Sequence, residues 1–276
     1  MTPPKLALNK PVASALQALL YALMFLTRLP VGSWLHEVDE QTAKRAVFFY
    51  PLVGLVIGCL LTVAALLLMP LGPPLAAALV LMLWVAVTGA LHLDGLADCM
   101  DAYYAGHKCS DAKQRRERIL TVMHDPACGA VALVSLVLLL LVKWAALAAL
   151  FTLAASSSRF LMVFVLLTLS LAPVLARTII LPFMTLNNYA RHDGAAAVNA
   201  AEHHSLYWVI TLVVFALCGL WLGLLTALAL LLALTLLMLY WAQLWRRQIG
   251  GYTGDCLGAL VELAEALTLI VLVALW

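Results

Sequence analysis

Gly89-Ala90-Leu91-His92-Leu93-Asp94-Gly95-Leu96-Ala97-Asp98-Cys99-Met100-Asp101 closes a long apolar run with three carboxylates. Acids at membrane depth are costly, so by default they read as a functional site. Asp94, Asp98 and Asp101 stand at i, i+4 and i+7. At about 3.6 residues per turn these positions share one helical face. A face of carboxylates with a glycine inside it suits a hard divalent cation, with Mg²⁺ holding a phosphate or diphosphate as the best fit.

Outward from this stretch, composition sets the medium. The chain has 276 residues, 65% of them hydrophobic and 11% charged. Soluble domains carry roughly 25% charged residues, so the expected fold class is all-α, a polytopic integral membrane protein with residues 1–276 as a single catalytic unit. A net charge of +2 leaves no footprint for nucleic acid. No secretory signal peptide is evident. Lys5 and Lys10 precede an apolar run, but Phe25-Leu26-Thr27-Arg28-Leu29-Pro30 lacks a small-residue cleavage pattern. The six cysteines form no CxxC pair and no zinc spacing, and read as small packing residues.

Eight apolar segments follow: 12–29, 47–69, 75–93, 127–149, 151–176, 206–220, 221–245 and 257–276. Each must be helical, because lipid offers no partner to a free backbone group. Lys44, Arg45, Lys108, Lys113, Arg115, Arg116, Arg118, Arg177, Arg191, Arg246 and Arg247 fall in alternate connections. The positive-inside rule makes the loops at about 31–46, 94–126, 177–205 and 246–256 cytoplasmic. Eight full spans would strand Lys5 and Lys10 outside. About seven spans plus an N-terminal interfacial or re-entrant helix satisfy every charge. Trp144, Trp208 and Trp276 read as interface anchors. Arg159, inside the fifth segment, calls for an internal partner or a route to the interface.

This orientation gathers the polar chemistry on the cytoplasmic side. Gly250-Gly251-Tyr252-Thr253-Gly254-Asp255 precedes the last segment, with Glu262 and Glu265 within it. Asp255 and Glu262 are seven apart and share a face if a helix starts near Asp255. A second acidic group is therefore expected at the depth of the first. His92 lies across the helix from the aspartates and reads as packing or as support for the aspartate face, and Glu265 as a ligand beside Asp255 and Glu262 or as an interhelical hydrogen-bonder. His203-His204 carry no clear signal.

The blocks together resemble the cobalamin synthase family, the adenosylcobinamide-GDP ribazoletransferases. The resemblance rests first on Gly89–Asp101, then on Phe25–Val31, Tyr50–Gly58, Met123-His124-Asp125 with Gly129, Arg177, Tyr189-Ala190-Arg191, and Gly250–Ala259 with Glu262 and Glu265. Departures from the family pattern are His124 for Lys or Arg, Pro126 for Ser, Ala102 for Gly and Ala176 for Ser.

The resemblance implies a defined reaction. Adenosylcobinamide-GDP and α-ribazole, or α-ribazole 5′-phosphate, combine to give adenosylcobalamin or its 5′-phosphate and GMP. It further implies Mg²⁺ and the bacterial inner membrane, with the site facing the cytoplasm. Expected partners are these substrates, the lipid bilayer and an assembly of other corrin-pathway enzymes. A hydroxyl attacking a diphosphate needs the growing charge neutralised by metal. Asp94 and Asp98 are the first-choice ligands, and Asp101 a third ligand or the base that takes the hydroxyl proton. Asp255, Glu262 and Glu265 would hold a second ion. Gly95 would let phosphate approach the backbone. Arg118, Arg177 and Arg191 would bind phosphate oxygens, and Asp125 joins the substrate-binding set through its block.

Two rival functions are less well matched. A CDP-alcohol phosphotransferase needs D-G-x-x-A-R with later acids in register. Here Ala97 comes one residue early and Asp98 follows it instead of Arg. An ion-coupled transporter would place its acids at the midplane, not at one membrane face.

Overall fold

The computed structural model describes residues 10–35, 38–191 and 204–276, with side chains only from residue 14 in the first stretch and from 205 in the last. Lys5, His203 and parts of the expected loops 31–46 and 177–205 lie outside the described residues. The fold is all-α. Its one β-type pairing among the described residues is an isolated bridge between Tyr189 and Tyr252.

In chain order the helices are α1 (Lys10–Leu26), α2 (Glu40–Ala46), α3 (Tyr50–Leu68), α4 (Pro73–Thr88), α5 (Leu91–Gly106), α6 (Ala112–Val122) and α7 (Ala130–Ala155). After these come α8 (Arg159–Thr168), α9 (Leu171–Thr178), α10 (Ile180–Leu186), α11 (His204–Leu222), α12 (Leu224–Ile249) and α13 (Gly254–Ala274). Among the described residues six helices are long and apolar enough to cross a membrane, seven if α4 and α5 are counted as one bent span. The apolar part of α1, Ser14–Leu26, is short for a crossing, since about 20 residues are needed. This agrees with seven spans plus a short N-terminal helix.

Two boundaries differ from the sequence reading. The expected third span, 75–93, stops at Thr88 and turns through 86° into α5. Gly89 and Ala90 both adopt left-handed backbone, with φ of 61° and 57°. The Gly89 N–H donates to Ala86 O at 3.2 Å and the Ala90 N–H to Val85 O at 3.1 Å, which ends α4 in a Schellman motif. The Arg28 N–H donates to Val87 O at 2.7 Å, so the end of α1 is docked on the same break. Ala90 bears a side chain in a conformation that disfavours one by roughly 1–2 kcal/mol. Such strain persists only where the surroundings enforce it. Helix α5 therefore runs at a steep angle to α4, and its three acids all follow the break.

The second difference explains Arg159. Helix α7 runs on to Ala155, and Ser156-Ser157-Ser158 makes the break. Ser158 caps α8, accepting from the Leu161 N–H at 3.4 Å. Arg159 is then the first residue of α8 and exposed, at the start of an apolar segment and not inside one. The same span is interrupted twice more, giving α9 and α10, with Pro173 and Pro182 inside them. Proline has no N–H to give the helix ladder.

Helix α5 packs most closely on α13, and also on α7 and α6. Gly95 makes the α5–α13 approach possible. A Cβ there would sit 2.8 Å from Asp255 O and 3.1 Å from its Cα. The glycine serves helix contact, because Asp255 occupies the place a side chain would take, and it also lines a cavity beside Asp94.

Candidate active site

The three aspartates of α5 lie on one helical face, and all three line a cleft of about 530 Å³. Its opposite wall is the segment Met123–Cys128, including Asp125. Asp94 is exposed, while Asp98 and Asp101 are half-buried. The Asp98 carboxyl is pushed up to about 7, first by burial and then by the negative charges of Asp255 and Asp94, with Asp101 adding a smaller push and Arg191 opposing. These acids are therefore close enough to feel one another. Among the described residues no three Asp, Glu, His or Cys side chains already form a cation cage.

Asp255 comes to this group from α13. Thr253 caps that helix, accepting from the Cys256 N–H at 3.4 Å and donating its hydroxyl to Asp255 Oδ2 at 3.2 Å. Reciprocal bonds hold the preceding strand-like pair: Ala190 N–H to Tyr252 O at 2.8 Å and Tyr252 N–H to Asn188 O at 3.0 Å. This bridge delivers Arg191, whose Nη2 lies 3.3 Å from Asp255 Oδ2. Arg116 tightens the frame, donating from Nε to Ile249 O at 2.9 Å and from Nη2 to Ala190 O at 3.1 Å.

Asp101 plays a different part. Its carboxylate accepts from the Gly129 N–H at 2.5 Å and the Ala132 N–H at 3.0 Å. It caps the first turn of α7 across space, where a negative charge also opposes the helix dipole. Both oxygens are engaged, which favours a positioning role over that of ligand or base. Asp94 and Asp101 are seven residues apart, so about 10 Å separates them along the axis. One face does not mean one site.

The same arithmetic separates Glu262 from Asp255. Glu262 is buried, and its Oε2 accepts from Lys143 Nζ at 2.8 Å. Lys143 also bonds Glu265 Oε2 at 2.6 Å, and Arg177 Nη1 bonds Glu265 Oε1 at 2.7 Å. Lys143 Nζ lies over the Trp84 ring, 4.4 Å from its centroid. Two cations and two carboxylates thus balance inside the bundle. The expected second-ion ligands Glu262 and Glu265 are corrected to partners of Lys143 and, for Glu265, of Arg177 as well. Arg177, expected on phosphate, is fully buried against Glu265 and Pro173 O and lines neither cavity described here. Arg118 is exposed on α6 and lines neither. Asp125 is exposed in the cleft wall and accepts from the Ala127 N–H at 3.0 Å.

Lys143 escaped the sequence reading. Its signal was available: a lone basic residue deep in an apolar run demands an acid partner. His92 is a further departure. It lines a second, smaller cavity of about 190 Å³ together with Asp94, Gly95, Asp255, Tyr50 of α3 and apolar residues of α1, α10 and α13. Asp94 is common to both cavities.

The description of cobalamin-5-phosphate synthase matches residues 18–273. An adenosylcobinamide-GDP ribazoletransferase of Pseudomonas aeruginosa PAO1 is 46% identical over 262 residues, covering 94% of this chain and 98% of the relative. A second, from Pseudomonas paraeruginosa, is 47% identical with the same coverage. A third, from Stutzerimonas stutzeri, is 43% identical over 253 residues, covering 91% and 96%. No solved structure matches. A family match over nearly all of the chain, and relatives this similar over their full lengths, lead to one conclusion: the chain belongs to the cobalamin-5-phosphate synthase family.

Proposed function

We propose that this chain transfers the adenosylcobinamide phosphate moiety of adenosylcobinamide-GDP to α-ribazole or its 5′-phosphate, releasing GMP, with Mg²⁺ and at the cytoplasmic face of the bacterial inner membrane. The relatives' printed names support the reaction. The observation that carries the chemistry is the gathering of Asp94, Asp98 and Asp255 beside a cleft that Asp94 and Asp98 line, with the Asp98 carboxyl raised first by burial and then by the charges of Asp255 and Asp94.

Mutually repelling carboxylates fit a divalent cation, and Asp94, Asp98 and Asp255 would hold it. Bound there, Mg²⁺ would neutralise charge growing on the diphosphate oxygens. It prefers one or two carboxylates with the remaining positions left to phosphate and water, so an open group suits it better than a cage. Arg191, now on Asp255, is placed to swing its guanidinium onto a phosphate oxygen. Asp94 lines both cavities, so a metal held there would lie beside each of them. Asp101 fixes α5 against α7, and the Lys143–Glu262–Glu265–Arg177 group fixes α13 against α7 and α9.

The decisive test supplies purified protein in lipid vesicles with adenosylcobinamide-GDP, α-ribazole and Mg²⁺. GMP should form, and chelation should stop it. No GMP with either ribazole form would refute the reading, and GMP formation undisturbed by chelation would refute its metal. Co-purification of pathway enzymes from native membranes would test the proposed assembly.

A further inference from the structure

We infer that the 190 Å³ cavity seats the acceptor's attacking hydroxyl with the sugar ring that bears it, and that Tyr50 selects and orients this hydroxyl. The inference rests on the proposed reaction, in which the acceptor is an alcohol.

The residue comes first. Tyr50 opens α3 and is only 5% exposed. Its hydroxyl belongs to the cavity lining and forms no hydrogen bond among the described residues. Leaving an enclosed hydroxyl unpaired is unfavourable, and most such groups in native proteins find a partner. Its helix is also fixed. Cβ atoms on Gly54 and Gly58 would lie 2.8 Å from Val174 Cα and 2.5 Å from Ser170 Cα. Helix α3 is therefore pressed onto α9 just beyond Tyr50, and the ring has a firm base.

The neighbouring groups set the ligand. Three elements bring polar side chains to this lining: Tyr50 from α3, Asp94 from α5 and Asp255 from α13. His92 lines it too, but its unpaired Nδ1 is enclosed in the protein. An ionised carboxylate only accepts, whereas a tyrosine hydroxyl can donate. An alcohol uses both, since it donates one proton and accepts at its lone pairs. An ionised phosphate oxygen only accepts, so it suits Tyr50 but is repelled by the two carboxylates. No Lys or Arg among the described residues lines this cavity to offset that repulsion. Phe25, Leu26, Ile180 and Met184 make the rest of the wall apolar, which suits the carbon face of a ring.

Size and placement agree. An apolar cavity of about 150 Å³ holds a benzene molecule. One of 190 Å³ has room for a single substituted ring and none for a corrin macrocycle or a whole nucleotide. Asp94 also lines the 530 Å³ cleft, so an alcohol held beside Tyr50 would stand next to whatever phosphoryl group that cleft receives.

The test removes one oxygen from each side of the contact, in the full chain in detergent with Mg²⁺. Titration calorimetry without the nucleotide donor compares α-ribazole with its deoxy analogue lacking the attacking hydroxyl, for wild type and Tyr50→Phe. Wild type should prefer α-ribazole by at least about tenfold. Tyr50→Phe should melt with wild type and cut that preference about fivefold, a factor worth about 1 kcal/mol and typical of one neutral hydrogen bond. In turnover, Tyr50→Phe should lower kcat/KM for α-ribazole at least about fivefold and leave KM for adenosylcobinamide-GDP within twofold. Leu257→Trp, which fills the cavity from α13, should weaken α-ribazole binding at least about tenfold. An unchanged preference in Tyr50→Phe would overturn the tyrosine contact. Undiminished binding by Leu257→Trp would overturn the seat, as expected if a lipid chain fills this space. A raised KM for adenosylcobinamide-GDP alone in Tyr50→Phe would give the cavity to the donor and overturn the inference as well. If wild type makes GMP while any of these results is obtained, only this inference falls. If wild type makes no GMP with either ribazole form, the proposed reaction falls with it.

Discussion

Removing Lys143 should destabilise the bundle without touching the metal chemistry. The lysine side chain is 3% exposed, and those of Glu262, Glu265 and Arg177 are 4%, 1% and 0% exposed. With Lys143 and Arg177 facing Glu262 and Glu265, the group is neutral. Lys143→Met leaves it with an excess negative charge and takes from Glu262 its 2.8 Å bond. Breaking one side of a buried ion pair costs about 3–5 kcal/mol. At about 2–4 °C per kcal/mol for chains near this size, the thermal midpoint in detergent should fall by on the order of 10 °C. Charge balance then predicts a rescue. Lys143→Met with Glu262→Leu leaves Arg177 on Glu265, neutral again, and should recover most of the loss, since apolar replacement of a whole buried pair is often neutral. Glu262→Gln keeps an acceptor for Lys143 but upsets the balance, so stability should drop by about 1–2 kcal/mol. Its Mg²⁺ midpoint for turnover should not move. The reasoning fails if Lys143→Met melts with wild type, if the double variant is no more stable than the single, or if Glu262→Gln shifts the Mg²⁺ midpoint at unchanged stability.

Asp94→Asn and Asp98→Asn should each lose at least about a hundredfold in turnover at an unchanged melting midpoint, by analogy with losing charge stabilisation at a transition state; near-normal rates would remove them from the site. Asp101→Ala should behave differently, costing about 0.5–2 kcal/mol as a lost helix cap, and a hundredfold rate loss with full stability would restore it as a ligand or base. Gly95→Ala should force α5 from α13, because its Cβ would lie 2.8 Å from Asp255 O; a fully active, equally stable variant would contradict that close approach. Cysteine labelling in a background without the native cysteines should find Ser110, Asn188 and Gln248 in the cytoplasm and Gly72 in the periplasm; a periplasmic Ser110 would invert the orientation.

Periodicity alone put Asp94, Asp98 and Asp101 on one face, because helical geometry is local and every backbone group in lipid must be paired within its own helix. Composition likewise made the chain a membrane bundle, and the breaks at Gly72 and Gly223 fell where the apolar runs paused. What spacing could not supply was depth and partnership. Seven residues restore the face but advance about 10 Å along the axis, so Glu262 shares a side with Asp255 and belongs to Lys143 instead. The left-handed pair at Gly89 and Ala90 was also beyond local reading, since alanine does not choose that conformation unaided. Arg28, docked on Val87 O, helps to enforce it. Whether a buried charge is a ligand or a strut depends on what another helix, far away in the chain, sets against it. That is why the aspartate face could be read from the sequence, while the partners of Asp101, Arg177 and Glu262 were set by packing.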